Sequence, residues 1–320
     1  MVSKRENFAA LQTLKSELKT RDIMEWLVKA SLSCCVAIAV FITFSIILLM
    51  LIESIRFFKL IPISDFLFGL RWAPGTLTTE APLGYFGIIP LFLGTFLITF
   101  IAMGIAIPLG LFSAIYLSQY ASDQVRTIIK PMLEILAGIP TVVYGFFAVI
   151  AVSPLLHDVG TWLGLSISSE SALGIGIVMG IMITPYIASL SDDVLASVPG
   201  AMSDGSLALG ATLSESIKRV ILPAAFPGIM AAVLLAISRA IGETMVVVMA
   251  AGYSAKLTAN PFEAVTTVTV QIVSLLTGDQ EFDNPKTLAA FALGLTLFCI
   301  TLLLNVLAIR VVRHYREKYD

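Results

Sequence analysis

The sequence predicts an all-α, polytopic membrane protein with six transmembrane helices. Three observations predict it. Apolar residues make up 58% of the 320-residue chain and charged residues 13%, about half the ordinary charged share of ~25%. Mean hydropathy is +0.94. Uncharged stretches recur at lengths that suit a hydrocarbon layer ~30 Å thick, which a helix crosses in about 20 residues. A water-soluble surface needs more charge than this, and so does a disordered chain. The net charge of −2 supplies no field for nucleic acid. Cys34, Cys35 and Cys299 lie inside apolar runs, with neither metal-ligand spacing nor a disulfide framework.

The spans follow in order. A mixed-charge stretch, FAALQTLKSELKTRDIMEWL, reads as an interfacial or cytoplasmic helix leading into the first apolar run, Ala30–Ile52. That run is too long, and too far from the start, for a cleaved signal peptide. Ala81–Ser122 is too long for one span and short for two. Gly84, Gly87 and Pro90 suggest a loop entering one long helix over about Phe86–Leu117. Ile135–Leu156, Ser171–Ser191, Val220–Ala255 and Thr287–Ile309 complete the six. Basic residues mark the cytoplasmic side of short loops. Lys4, Arg5, Lys15, Lys19, Arg21, Arg126, Lys130, Lys218, Arg219, Arg310, Arg313, Arg316 and Lys318 outnumber Arg56, Lys59, Arg71, Lys256 and Lys286 on the other side. Both termini are therefore expected in the cytoplasm, which disfavours seven spans.

The resulting organisation is a cytoplasmic segment over 1–25, a first span over 26–52, an outer loop over 53–85, a five-helix core over 86–313 and a tail over 314–320. Trp72 in the outer loop reads as an interface residue, or as a contact for an external protein. No Gly-Lys pair occurs, so there is no phosphate-binding P-loop. Two distant histidines, His157 and His314, exclude the usual zinc and triad constellations. No enzyme site, metal site or bound cofactor is expected in this chain.

Arg239 and Glu243 stand near the middle of the fifth apolar run, PGIMAAVLLAISRAIGETMVVVMAAGY (Pro227–Tyr253). A charge at that depth costs about 2.5–3.5 kcal/mol on insertion scales, so it faces protein or water. Two readings stay open: an i,i+4 ion pair that locks helix packing, or a cationic site on a pathway with Glu243 orienting it. An arginine would suit an oxyanion, since its planar fork donates parallel hydrogen bonds. Glu134, one turn beyond Lys130, reads as an interfacial i,i+4 contact or a gate residue. Gly138 with Pro140, and Thr184 with Pro185, mark possible helix breaks.

The inside connection over Asp193–Gly228 contains turn and cap signals. Pro199-Gly200 makes a turn, Ser203 or Asp204 can cap one short helix, Gly210 separates, and Thr212 or Ser214 can cap a second. Such a pair offers a docking surface or an interfacial amphipathic segment.

DGSLALGATLSESIKRVILP resembles the signature loop of bacterial ABC-importer membrane subunits, E-A-A-x-x-x-G followed, after nine residues, by I-x-L-P. Gly210 fits the glycine, Val220 replaces the isoleucine, and Leu222-Pro223 fit the end, while Asp204, Gly205 and Ser206 stand in place of E-A-A. EILAGIPTVVYGFF, MITPYIASLSDD and SRAIGETMVVVMAAGY together resemble the PstC-type permease subunit of the high-affinity phosphate ABC importer, and the G-E-T-M ending favours that subunit over its sister permease. The resemblance spans about Phe86–Arg313. It implies a type I ABC-importer permease fold and a heterodimer with a second permease. It also implies two ATPase subunits, which use the ATP, and an external phosphate-binding protein. Coupling helices would lie within 204–219, and Arg239 and Glu243 would serve phosphate passage. Rivals are the same architecture for molybdate or sulfate, or an ion-coupled secondary transporter. The latter predicts more intramembrane carboxylates and inverted repeats.

Overall fold

Inside a bilayer a helix satisfies every backbone N–H and C=O within one segment, so uncharged runs of this length fold as helices. The computed structural model describes residues 2–75, 83–253, 255–277 and 284–316, and of 2–23 and 314–316 the backbone alone. The expectations on Lys318 and the end of the tail, and on 76–82 and 278–283 of the outer loops, lie outside the described residues.

The chain divides into two units, residues 1–52 and 53–320. The first lies within α1 (Val2–Leu60), which joins the mixed-charge stretch to the first apolar run without a break. Its described side chains, Met24–Ile52, are almost all exposed, as suits a helix whose apolar surface meets lipid.

The second unit opens with the end of α1. Then come α2 (Ile63–Phe68) and two short antiparallel strands, β1 (Trp72–Ala73) and β2 (Tyr85–Phe86). The aromatic residues of this loop hold it together. The rings of Phe66 and Phe86 meet Phe57 edge-on at 5.3 and 5.4 Å, and Trp72 meets Phe86 at 5.9 Å. Trp72, expected at a lipid–water interface, is instead buried, and its indole N–H donates to Gln271 Oε1 at 2.9 Å. A protein acceptor replaces the water that an interface would have supplied.

Next come α3 (Ile89–Ile115) with a π-helical turn (Tyr116–Tyr120), and α4 (Asp123–Ala137). α5 (Thr141–Phe147), a second π turn (Ala148–Val152) and α6 (Ser153–Trp162) follow. α7 (Ala172–Ala196) leads to the short α8 (Gly200–Ala208) and α9 (Leu213–Ser216), then a third π turn (Ile217–Ile221). α10 (Leu222–Ile241), α11 (Met245–Ala250), α12 (Val268–Leu276) and α13 (Pro285–Arg316) complete the chain. Six helical stretches are long and apolar enough to cross a membrane: 24–60, 89–120, 141–162, 172–196, 213–241 and 285–313.

α3 and α7 pack closely because α7 carries glycines on one face. A Cβ on Gly180 would stand 2.9 Å from the Ala102 carbonyl oxygen, and one on Gly176 would stand 2.6 Å from the Ile101 side chain. Small residues are what let two membrane helices approach at this distance. A central apolar cluster joins α3, α5, α7, α10 and α11. A second surrounds Trp72, and a third joins Ala114 of α3 and Leu195 of α7 to Ile217 and Ile221 of the third π turn and Ala225 of α10.

Three helix readings need correction. The third span begins at Thr141, not Ile135. Residues 135–137 end the amphipathic α4, and the chain breaks at Gly138–Pro140 because proline lacks an N–H and excludes the preceding residue from helical geometry. No break occurs at Thr184-Pro185. α7 runs through it, with the Thr184 hydroxyl donating to the Gly180 carbonyl at 2.8 Å, and close packing on α3 outweighs one missing N–H. The fifth run is not a single helix to Tyr253, since α10 stops at Ile241 and α11 starts at Met245.

Candidate functional site

The break after α10 sets the geometry around the two charges of the fifth apolar run. Gly242 weakens the helix at its end, and the Thr244 hydroxyl donates to the Gly242 carbonyl at 3.2 Å, a local bond that competes with helix continuation. Arg239 therefore occupies the last turn of α10, where the helix dipole favours a cation. Glu243 falls in the break. Its Oε1 accepts the backbone N–H of Met245 at 3.2 Å and of Val246 at 3.4 Å, and its carbonyl accepts the Thr269 hydroxyl at 2.9 Å. The i,i+4 ion pair read from the spacing does not form, because a carboxylate beyond the helix end finds the unsatisfied N–H groups of α11 closer than the guanidinium.

Arg239 is exposed in this chain. Its Cζ lies over the Tyr186 ring, 5.2 Å from the centroid. Among the described residues it makes no ion pair and no hydrogen bond. One residue earlier, the Ser238 hydroxyl donates to Asn305 Oδ1 at 2.9 Å, tying α10 to α13. Tyr186 and Asn305 went unrecognised in the sequence. Tyr186 sits within MITPYIASLSDD, and Asn305 is a lone amide in an apolar helix. Thr184, half-buried, and Pro185, buried, precede Tyr186 on α7.

Glu134 is exposed on α4, and its expected contact with Lys130 is absent. Lys130 Nζ instead meets Asp193 at 2.7 Å and Asp192 at 3.1 Å, while Arg126 meets both Asp192 oxygens at 3.0 and 3.1 Å. These bonds, that to Asp193 first, raise the Lys130 ammonium above its ordinary value of 10.5. Asp192 is 1% exposed, so α4 is clasped to α7 by a buried carboxylate held between two cations.

The residues of the signature loop gather at one end. Gly210 has φ +92°, and a Cβ there would meet nothing within 4 Å. Asp204 and Ser203 lie inside α8, which starts at Gly200 directly after Pro199, so neither caps it. α9 is capped by Thr212 in a reciprocal box with Glu215. The Ser206 hydroxyl bonds the Ser203 carbonyl at 2.8 Å and the buried Ser216 hydroxyl at 2.6 Å, fastening α8 to α9. Asp204 and Gly205 are exposed, Leu209 is 92% exposed, Val220 and Leu222 are half-buried, and Pro223 is the second residue of α10. No group of three or more His, Cys, Asp or Glu suited to a metal occurs among the described residues.

Residues 106–319 match the family model described as binding-protein-dependent transport system inner membrane component. A probable ABC transporter permease protein, YqgH of Bacillus subtilis, is 32% identical over 99% of this chain and 100% of that protein. The phosphate transport system permease protein PstC of Haemophilus influenzae is 33% identical over 85% of this chain and 88% of its own. Among solved structures, a bacterial ABC transporter importing the acidic polysaccharide alginate has a TM-score of 0.55 at 14% identity, covering 71% of this chain and 79% of that one. The inward-facing MetNI methionine ABC transporter has 0.50 at 18% identity, covering 72% and 94%. The fold is that of type I ABC-importer permeases.

Proposed function

The chain belongs to the family of binding-protein-dependent transport system inner membrane components, and from that premise we propose that it passes inorganic phosphate across the cytoplasmic membrane. It is a multi-pass ABC-importer permease of the PstC type. Permeases of this kind work with a solute-binding protein and with ATPase subunits, and have no ATPase of their own. The finer reading is ours. A second, homologous permease completes the pathway, two ATPases grip the α8–α9 end, and an external binding protein delivers phosphate. ATP is consumed by the ATPases, and this chain binds no cofactor. Both termini lie in the cytoplasm.

One observation carries the phosphate reading: Arg239, within the fifth apolar run, is exposed and has no carboxylate partner among the described residues. An unneutralised guanidinium at that depth is costly unless an anion or water meets it. The name of the PstC relatives supports phosphate as that anion. Glu243 shapes the site by holding the break between α10 and α11. Asp204, Gly205, Ser206, Gly210, Val220, Leu222 and Pro223 transmit ATPase motion, and Glu134, Gly138 and Pro140 form a hinge at the foot of the third span. Thr184 and Pro185 back the pathway as part of an unbroken α7.

Reconstitution of the chain with its second permease, ATPases and binding protein tests the reading. ATP-driven uptake of labelled phosphate, undiminished by excess sulfate or molybdate, is expected. Uptake of either competitor with none of phosphate would contradict it.

A further inference from the structure

An arginine can be held in place in two ways. A carboxylate takes its in-plane N–H fork and cancels its charge, whereas an aromatic ring takes its face and leaves the fork and the charge available. The sequence spacing suggested the first contact, whereas in the structure Arg239 has no carboxylate partner among the described residues and its Cζ lies over an aromatic ring. The Glu243 carboxylate is bound to the N–H groups of Met245 and Val246, and the Arg239 guanidinium lies over Tyr186. The ring is well placed for such a task. Tyr186 packs against the central apolar cluster. It lies on a helix that runs unbroken through Pro185 and is locked to α3 at Gly176 and Gly180. Six residues separate Gly180 from Tyr186, about 9 Å of helix rise, so the ring moves with a rigid support.

We propose that Tyr186 is a positioning residue for the transported anion: its ring holds the Arg239 guanidinium by the face, so that the edge N–H donors stay available to receive an oxyanion in the plane of the fork. The inference rests on the reading of Arg239 as the phosphate site and adds to it how that site is pre-set. A passing anion then meets an oriented cation and breaks no ion pair on arrival. Release is equally direct, because the ring supports the guanidinium in the empty site.

The test replaces Tyr186 by Phe, by Leu, and by a series of increasingly fluorinated phenylalanines. Fluorination strips the negative charge from the ring face at nearly constant shape, so a purely structural role is indifferent to it. Phosphate uptake is measured at equal amounts of reconstituted transporter, with Arg239→Gln alongside. Tyr186→Phe retains uptake, Tyr186→Leu lowers it about three- to tenfold, and uptake declines stepwise with fluorine number, on the scale of one partly exposed cation–π contact. A flat fluorine series beside a defective Arg239→Gln overturns the role of Tyr186 alone. Normal uptake in Arg239→Gln overturns the phosphate site and the inference together. Loss in Tyr186→Phe equal to that in Tyr186→Leu assigns the effect to the hydroxyl and overturns the ring mechanism.

Discussion

A carboxylate four residues from an arginine is bound to it only if the helix continues between them. At Gly242 it does not, and the roles of Arg239 and Glu243 separate. Glu243→Gln is accordingly expected to keep most of the uptake, since an amide oxygen still accepts the α11 N–H groups; a loss as deep as that of Arg239→Gln would show that the two charges act as one. The clasp on α4 yields a stability prediction. Removing the Asp192 carboxylate by Asp192→Ala leaves Arg126 without a carboxylate partner and Lys130 with Asp193 alone. A hydrogen bond to a charged group contributes about 1.5–3 kcal/mol, so the melting point in detergent drops, whereas Glu134→Ala leaves it unchanged. Because the folded Lys130 is raised above 10.5, its contribution is complete at neutral pH and is lost only as pH rises past that value; stability that responds to Lys130→Met at pH 11 as strongly as at pH 7 would contradict this. At this scale the sequence revealed the charges, because ionisable residues stand out in an apolar run. It did not reveal their partners. Asp192 is 62 residues from Lys130 and Tyr186 is 53 from Arg239 in sequence number, and only folding brings them together.

Helices and their interruptions carry the next level of behaviour. Hydropathy and length alone were enough to read the six spans, since both follow from the thickness of the bilayer. Breaks were harder. Pro140 ends a helix, whereas Pro185 does not, because α7 is held against α3 by Gly176 and Gly180 at distances that no sequence pattern expresses. Gly180→Val is therefore expected to abolish assembly of the transporter: its Cβ would press on the Ala102 carbonyl, part of a backbone that cannot swing aside. Normal assembly would show that α3 and α7 have more slack than these distances indicate. At the other end, Gly210→Ala meets empty space but must adopt φ +92°, at a cost of about 1 kcal/mol. It should loosen the α8–α9 turn and lower phosphate carried per ATP hydrolysed; an unchanged ratio would argue against a coupling role for this turn. The sequence offered Thr212 or Ser214 as the cap of α9, and Thr212 serves, in a box with Glu215, while neither Ser203 nor Asp204 caps α8, because that helix starts at Gly200, directly after Pro199.

At the scale of the whole chain, two of the exposed surfaces of the second unit bear on transport. One presents Arg239 within the fifth apolar run, and the other presents Leu209 and the α8–α9 turn. Under the proposed function, the first would face the solute path and the second the motor. The fold class was legible from composition, and the family from a handful of motifs. The packed aromatic cluster around Trp72 was not legible, since Phe57, Phe66 and Phe86 are scattered through a segment that reads as loop. The most direct measurement of the central claim is ATP-driven phosphate uptake by the reconstituted importer carrying Arg239→Gln, at wild-type levels of assembled transporter. Loss of the cation is expected to lower uptake at least about tenfold, the equivalent of one charge-assisted hydrogen bond, with Arg239→Lys intermediate. Uptake at the wild-type rate in Arg239→Gln would mean that the anion never meets this residue.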